Sequence, residues 1–220
     1  MRSPEAELIA RLDARLQQPL PGEAAQARFS PRLARGRAMS RTVPQDARRA
    51  AALILLYPSD DSATSYSLPL TVRRADLPDH AGQISLPGGR IDVGETAEAA
   101  ALREAAEEIG VMPGDIRILG ALTPLYVLVS RFVVTPFIGV APRRPDFQLA
   151  EREVAELIEA PLHHLSDPRT LHWGHRTREG YLLDYPYFRL GDHEVWGATA
   201  MILGEFFSLL DDGFAPPGQQ

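Results

Sequence analysis

Apolar residues keep two different rhythms along this chain, and the change from one to the other marks helix against strand. Leu8, Ile9, Leu12 and Leu16 recur at helical spacing, so residues 4–17 predict an amphipathic helix that the following PLPG must end. Residues 27–49 hold seven Arg and one Asp with little apolar periodicity, which predicts an irregular arm or linker. From residue 50 the pattern changes. AAALILLYP is a continuous apolar run of strand length, and SYSLPLTVRR answers it across the polar turn SDDSAT, which predicts a hairpin. LPGG breaks the chain at 86–89, ETAEAAALREAAEEIG is alanine-rich and helical, and VMPGD stops it. IRILGAL, YVLVSR and FVVTPFIGVA are apolar and β-branched and read as strands. PRRPDFQLAEREVAELIEAPL reads as a loop, YLLDYPYFRL with HEVWGA as a second hairpin, TAMILGEFFSLLDD as a closing helix and FAPPGQQ as a frayed end. Strands alternating with two main helices predict an α/β fold with a mixed sheet covered on both faces. The expected division is an N-terminal helical extension with an Arg-rich arm over 1–45, a main domain over 46–212 and a flexible tail over 213–220.

Composition narrows the chemistry. The 220 residues are 45% hydrophobic and 24% charged, ordinary for a globular protein able to bury a core. No apolar run approaches a membrane span, and the opening MRSPEAELIARLDARL carries acids and no apolar signal core, so a cytoplasmic protein without a membrane partner is expected. With no cysteine, disulfides, thiolate metal sites and cysteine nucleophiles are excluded. With no lysine either, all 23 basic residues are Arg, which removes Schiff-base and P-loop lysine chemistry. The net charge of −6 divides unevenly: residues 1–50 hold ten Arg against five acids, or +5, leaving −11 for the rest. Bulk nucleic-acid binding does not suit such a body. An acidic protein that handles an acidic substrate needs local positive charge, which a divalent cation supplies compactly.

The helical segment carries the strongest local signal. At about 100° per residue, Glu108 stands about 40° from Glu104 on one side and Glu107 about 60° on the other, so all three share a face. A solvated surface is the ordinary explanation for helical glutamates. The spacing counts against it, because like charges at i and i+4 cost about 0.2 to 0.5 kcal/mol and these lie where the helix dipole disfavours negative charge. A hard cation such as Mg²⁺ or Mn²⁺ turns that cost into a gain.

Gly89 and Glu95 are separated by five residues and Glu95 and Arg103 by seven, and Arg103 opens the run Arg-Glu-Ala-Ala-Glu-Glu-Ile-Gly-Val. This resembles the Nudix box, G-x5-E-x7-R-E-U-x-E-E-x-G-U, with Ala105 where a bulkier aliphatic residue is commoner. The resemblance runs over roughly residues 45–210 and implies an α/β/α sandwich with a mixed sheet between helices. It also implies a pyrophosphohydrolase that cleaves a nucleoside diphosphate joined to another group with Mg²⁺ or Mn²⁺. On that basis Glu104, Glu107 and Glu108 are the expected metal ligands, with the backbone carbonyl of Gly88 as another. Arg103 and Glu95 are expected to pair and hold the loop to the helix. For the general base, Glu153 is the first choice and Glu156 the next.

Upstream, LTVRRADLPDHAGQISLPGG resembles the coenzyme A pyrophosphatase branch, LLT-x-R-[SA]-x3-R-x3-G-x3-F-PGG. Leu70, Thr71, Arg73, Gly82, Pro87, Gly88 and Gly89 align; Pro69, Arg74, Leu86 and Pro78 depart, the last standing where a second arginine is expected. PYFRLGDHEVWGATAMIL is similar to the same branch. The implied products are 3′,5′-ADP and 4′-phosphopantetheine or its acyl form. Arg49, Arg73, Arg74, Gly88 and Gly89 are the expected substrate contacts, with Arg74 compensating for Pro78. Tyr126, Phe132 and Trp196 are weighed as an apolar groove for the pantetheine arm against plain core positions. His80, His163, His164, His172 and His175 read as surface or loop residues. ADP-ribose, NADH or dinucleoside polyphosphates stay open as substrates, a catalytically idle nucleotide sensor as another class of function, and a homodimer as the assembly.

Overall fold

The computed structural model describes residues 4–33, 37–38, 42–59, 65–74, 76, 82–178 and 181–218. Helices α1 (Pro4–Leu16) and α2 (Gly22–Arg28) lead into two very short strands, β1 (Arg32–Leu33) and β2 (Arg37–Ala38). Strands β3 (Arg48–Pro58), β4 (Tyr66–Arg73), β5 (Ile84–Ser85) and β6 (Gly88–Arg90) precede α3 (Ala97–Ile109). Then come β7 (Arg117–Ala121), β8 (Leu125–Val127), β9 (Phe132–Val140), β10 (Val154–Pro161) and α4 (Leu162–Leu165). The chain closes with β11 (Leu171–Arg178), β12 (Tyr181–Leu190), β13 (His193–Trp196) and α5 (Gly197–Leu210).

An eight-stranded sheet runs β10-β4-β3-β9-β7, with β5 on β4, β6 on β3 and β8 on β9. It is mixed, since β3 and β9 are parallel while the other pairs are antiparallel. β3 explains why its sequence is apolar without alternation. Ala51, Leu53, Leu55 and Tyr57 pack with Ala100, Ala101, Ala105 and Ile109 of α3, while Ala52, Ile54 and Leu56 belong to a second core with Leu203 and Phe206 of α5. A strand buried on both faces has no polar side to show. The alanines of α3 keep that helix thin against the sheet.

The predicted β3–β4 hairpin survives only at its tip, where Tyr57 pairs with Ser67 and Pro58 with Tyr66. Below it the strands part: β6 and β9 take the edges of β3, and β5 and β10 take those of β4. The Leu86–Pro87 link crosses the resulting gap, and Leu53 donates its amide to the Pro87 carbonyl at 2.8 Å.

Four further readings change. The stretch read as a loop before residue 162 contains β10, an edge strand whose Glu156 is left exposed, which blurs the alternation that marks a strand. α2 went unread because Ala25 and Gln26, rather than large apolar residues, make its buried face. The Arg-rich arm is not irregular throughout: β1 pairs with β12 and with β2, joining a five-stranded sheet ordered β11-β12-β1-β2 with β13 on β12. The tail from residue 213 is held rather than frayed up to Pro217, because Phe214 is buried against Phe29 and Phe188, and Trp173 donates its indole N–H to the Pro217 carbonyl at 2.8 Å. Among the described residues no helix is long and apolar enough to cross a membrane.

Candidate active site

Two glycines set the site where β6 meets α3. A Cβ on Gly88 would run into the Ala51 carbonyl of β3, and one on Gly89 would run into the Glu104 carboxylate. Only glycine lets this backbone lie so close to both. α3 starts on Thr96, whose hydroxyl accepts from the Ala99 amide at 3.1 Å, and ends on Gly110 in the left-handed conformation.

The three glutamates of α3 have unequal surroundings. Glu108 is buried, 5% exposed, and accepts from the Gly88 amide at 3.1 Å. Burial, reinforced by the charges of Glu104 and Glu153, pushes its carboxyl up to about 7 against the pull of the Gly88 amide and the Arg73 charge. Glu104 is also pushed above the usual carboxylate range by burial, with Glu107 and Glu153 adding repulsion and Arg103 opposing it. Glu107 reaches out to solvent.

Arg103 gathers this helix and the preceding loop. Its guanidinium donates to both Glu95 oxygens at 2.9 and 3.0 Å, to Glu104 at 2.9 Å, to Glu107 at 3.1 Å and to the Arg90 carbonyl at 3.0 Å. Glu95 also accepts from the Asp92 amide at 3.1 Å, which closes the loop. Its carboxyl is held below the ordinary range, chiefly by Arg103.

A second loop brings in the last acid. The Gln148 amide donates to the Ile109 carbonyl and the Ala150 amide to the Glu108 carbonyl, each at 3.0 Å, so residues 148–150 are stitched to the last turn of α3. A turn closed by the Glu153 amide on the Ala150 carbonyl at 2.8 Å then presents Glu153, whose own carbonyl accepts from Arg74 at 3.1 Å. Glu153 therefore sits between the end of α3 and the end of β4, near enough for its charge to act on both Glu104 and Glu108.

Arg73 ends β4 beside this group, and its Nε is buried without a hydrogen-bond partner. Arg74 is engaged by Asp76 through two bonds of 2.8 Å and by the Glu151 carbonyl at 3.1 Å. Arg49 is exposed on β3, where its carbonyl accepts from Ile91 just past β6. Glu156 lies elsewhere on β10 and is 3.3 Å from the His193 ring. His164 contacts the Arg189 carbonyl and His175 pairs with Asp184, while Pro78 and His80 lie outside the described residues. Tyr126 is buried and Phe132 lies beneath Arg48.

The structure thus gathers Glu104, Glu108, Glu153 and Arg73, with Glu107, Arg103 and Glu95 along the rim. Among the described residues no three acids or histidines already converge as a metal site, since Arg103 holds oxygens of Glu104 and Glu107. The donor set nevertheless suits a hard divalent cation. It offers only oxygens, two of its carboxylates are raised by burial and mutual repulsion, and a bound cation relieves both. Sequence reading missed the aromatic group Tyr185, Tyr187 and Trp196 beneath Arg176 as a unit. The period-two placing of the two tyrosines was its one signal.

A family model described as NUDIX domain matches residues 47–179. Over 150 residues the chain is 37% identical to an uncharacterized Nudix hydrolase NudL of Citrobacter koseri, an alignment covering 63% of this chain and 72% of that protein. It is 37% identical over 152 residues to the NudL of Pectobacterium atrosepticum, covering 66% and 76% respectively. A crystal structure of a Nudix hydrolase from M. smegmatis, RenU, is 25% identical, covers 55% of this chain and 74% of that one, and gives a TM-score of 0.47.

Proposed function

The chain belongs to the Nudix family of hydrolases that act on nucleoside diphosphate derivatives, and from that premise we propose that it cleaves the diphosphate of coenzyme A or an acyl-coenzyme A. The products are 3′,5′-ADP and the 4′-phosphopantetheine half. The observation that carries the chemistry is Glu108, buried on the Gly88 amide at the end of the glycine turn, with the charges of Glu104, Glu153 and Arg73 all acting on it. The upstream stretch 70–89 carries the choice of substrate.

Glu104, Glu107 and Glu108, with the Gly88 carbonyl, are the ligands for Mg²⁺ or Mn²⁺, which when bound neutralises the diphosphate and lowers the pKa of a water. Glu153 takes the proton from the attacking water. Arg73, whose Nε has no hydrogen-bond partner among the described residues, binds a phosphate oxygen with its guanidinium. Arg49, exposed on β3 where its carbonyl accepts from Ile91, and the amide of Gly89 assist, whereas Arg74 is engaged by Asp76 through two hydrogen bonds. Arg103 and Glu95 position the glutamates through their mutual ion pair.

The test is a panel of coenzyme A, acetyl-coenzyme A, ADP-ribose, NADH and diadenosine polyphosphates, with the products identified. The expected result is 3′,5′-ADP from the coenzyme compounds at the highest kcat/KM; a clear preference for ADP-ribose or a dinucleotide would overturn the substrate. Glu108→Gln and Glu107→Gln should each lower metal-dependent turnover by about 100-fold. Full activity in both would overturn the ligand assignment.

A further inference from the structure

Away from the carboxylates, the five-stranded sheet presents an organised face. The strand register sets His172, Tyr187 and Trp196 side by side across β11, β12 and β13. One step along, Gly174 lies opposite Tyr185, and a Cβ there would fall 2.5 Å from the tyrosine ring, so the absence of a side chain lets that ring lie across the sheet. The Tyr185 ring centroid is 4.9 Å from Trp196 and 6.0 Å from Tyr187.

Two arginines top this platform. The Arg176 guanidinium lies 4.6 Å from the Trp196 ring centroid and 5.5 Å from that of Tyr185, and Arg189 donates to the Tyr187 hydroxyl at 2.8 Å. Both are exposed, and among the described residues neither lies within ion-pair distance of a carboxylate, although Glu194 stands opposite Arg189 in the strand register. Glu194, the acid of this face, accepts from the Tyr185 hydroxyl at 2.8 Å. Elsewhere in this acidic chain, Arg74, Arg103, Arg131, Arg144 and Arg169 hold carboxylates, while Arg28 bonds backbone carbonyls and Arg48 lies over the Phe132 ring. Cations laid on flat rings and left without an acid complement an anion carried next to a flat ring system.

The platform is joined to the active site. Thr199, three residues beyond Trp196, donates its hydroxyl to the Ile84 carbonyl at 2.9 Å. Ile84 precedes Gly88 by four residues, a span of at most about 14 Å. On the other side, the 3.3 Å contact of His193 with Glu156 fastens the same hairpin beside the strand that follows Glu153.

We propose that Arg176 and Arg189, on the platform of Tyr185, Tyr187 and Trp196, bind a phosphate on the ribose of the substrate's nucleotide half, apart from the diphosphate that is cleaved. The inference rests on the reading of the substrate given above. It follows from a division of labour: the scissile diphosphate is met at the carboxylate helix, so two further cations without an ion pair among the described residues call for a further anionic group. In coenzyme A that group is the 3′-phosphate of the adenosine, and Trp196, the partly exposed ring beneath Arg176, suits the purine beside it.

Two measurements on the metal-loaded full chain test this. In turnover, Arg176→Gln and Arg189→Gln should each lower kcat/KM for coenzyme A by about tenfold or more relative to dephospho-coenzyme A, which lacks that phosphate. In calorimetry, 3′,5′-ADP should bind more tightly than 5′-AMP, and Arg176→Gln should remove the difference. Equal losses on both coenzyme compounds, with the calorimetric difference intact, would mean a merely structural platform and overturn the proposal while leaving the coenzyme reading in place. No cleavage of either compound, with an Arg176-dependent preference for 3′,5′-ADP, would overturn the coenzyme reading and uphold the phosphate site.

Discussion

Glu108 combines two demands that conflict without a cation. It is buried against the Gly88 amide, and it shares its surroundings with two other carboxylates. With its carboxyl pushed up to about 7, the metal-free fold holds this proton to a higher pH than a free glutamate does. The unfolded value is about 4.3, so this group favours the fold below that pH, and its contribution is lost as pH rises toward about 7. A divalent cation competes with the proton and must release it on binding. Mg²⁺ affinity should therefore tighten as pH rises from about 6 to about 8, and calorimetry in buffers of different ionisation enthalpy should detect proton release. Glu108→Gln should abolish most of that release. An affinity that does not change with pH would contradict the placement of Glu108 among the ligands.

At the scale of elements, the loop that delivers Glu153 is held at both ends. One end is stitched to α3 through Gln148 and Ala150. The other is anchored by Arg144, which donates to both Glu159 oxygens at 2.6 and 2.7 Å and stacks 5.4 Å from Phe147, while buried Tyr57 donates to the same carboxylate at 2.9 Å. Hydrogen bonding from Arg144 holds Glu159 below its ordinary range, so its contribution is present above about pH 4.3 and lost as pH falls through the depressed value. Burial raises Tyr57 far above its ordinary range, so its contribution is full below about pH 10 and is lost at higher pH. Thermal unfolding followed against pH should lose part of its acid limb in Glu159→Gln and part of its alkaline limb in Tyr57→Phe; an unchanged alkaline limb in the latter would remove Tyr57 from the anchor. None of this anchor was legible in the sequence, because it joins residues as far apart as 57 and 159 through a strand that reads as loop. The glutamates of α3 were legible for the opposite reason. Their grouping is produced by helix periodicity within five residues, and the glycine turn before them is equally local. Glu153 stands between the two cases: its residue type was readable, but its nearness to Glu104 and Glu108 depends on how a loop docks on a helix end.

At the scale of the whole molecule, the N-terminal segment is built into the second core. Phe29 is fully buried, its ring 5.5 Å from Phe188 and 5.7 Å from Phe214, and it occupies the space that a side chain on Gly204 of α5 would need. Beside it, Glu205 is a completely buried carboxylate that accepts from the Gln26 amide group at 2.7 Å and from the Gly22 and Thr123 backbone amides at 3.2 Å each. Two of those three donors belong to α2. Removing residues 1–30 would uncover Phe188 and Phe214 and leave the buried Glu205 side chain with only the Thr123 amide as partner, and a buried polar group stripped of its hydrogen bonds is costly. Phe29→Ala alone should cost about 3 to 5 kcal/mol, a large share of the 5 to 15 kcal/mol typical of a domain. The chain starting at residue 31 should therefore fail to show the cooperative unfolding transition of the full chain, and Phe29→Ala should retain it at a clearly lower denaturant midpoint. If the shortened chain unfolded cooperatively at the same midpoint, the N-terminal segment would be an appendage, and its helices would contribute nothing to the core that carries α5 and the platform strand β13.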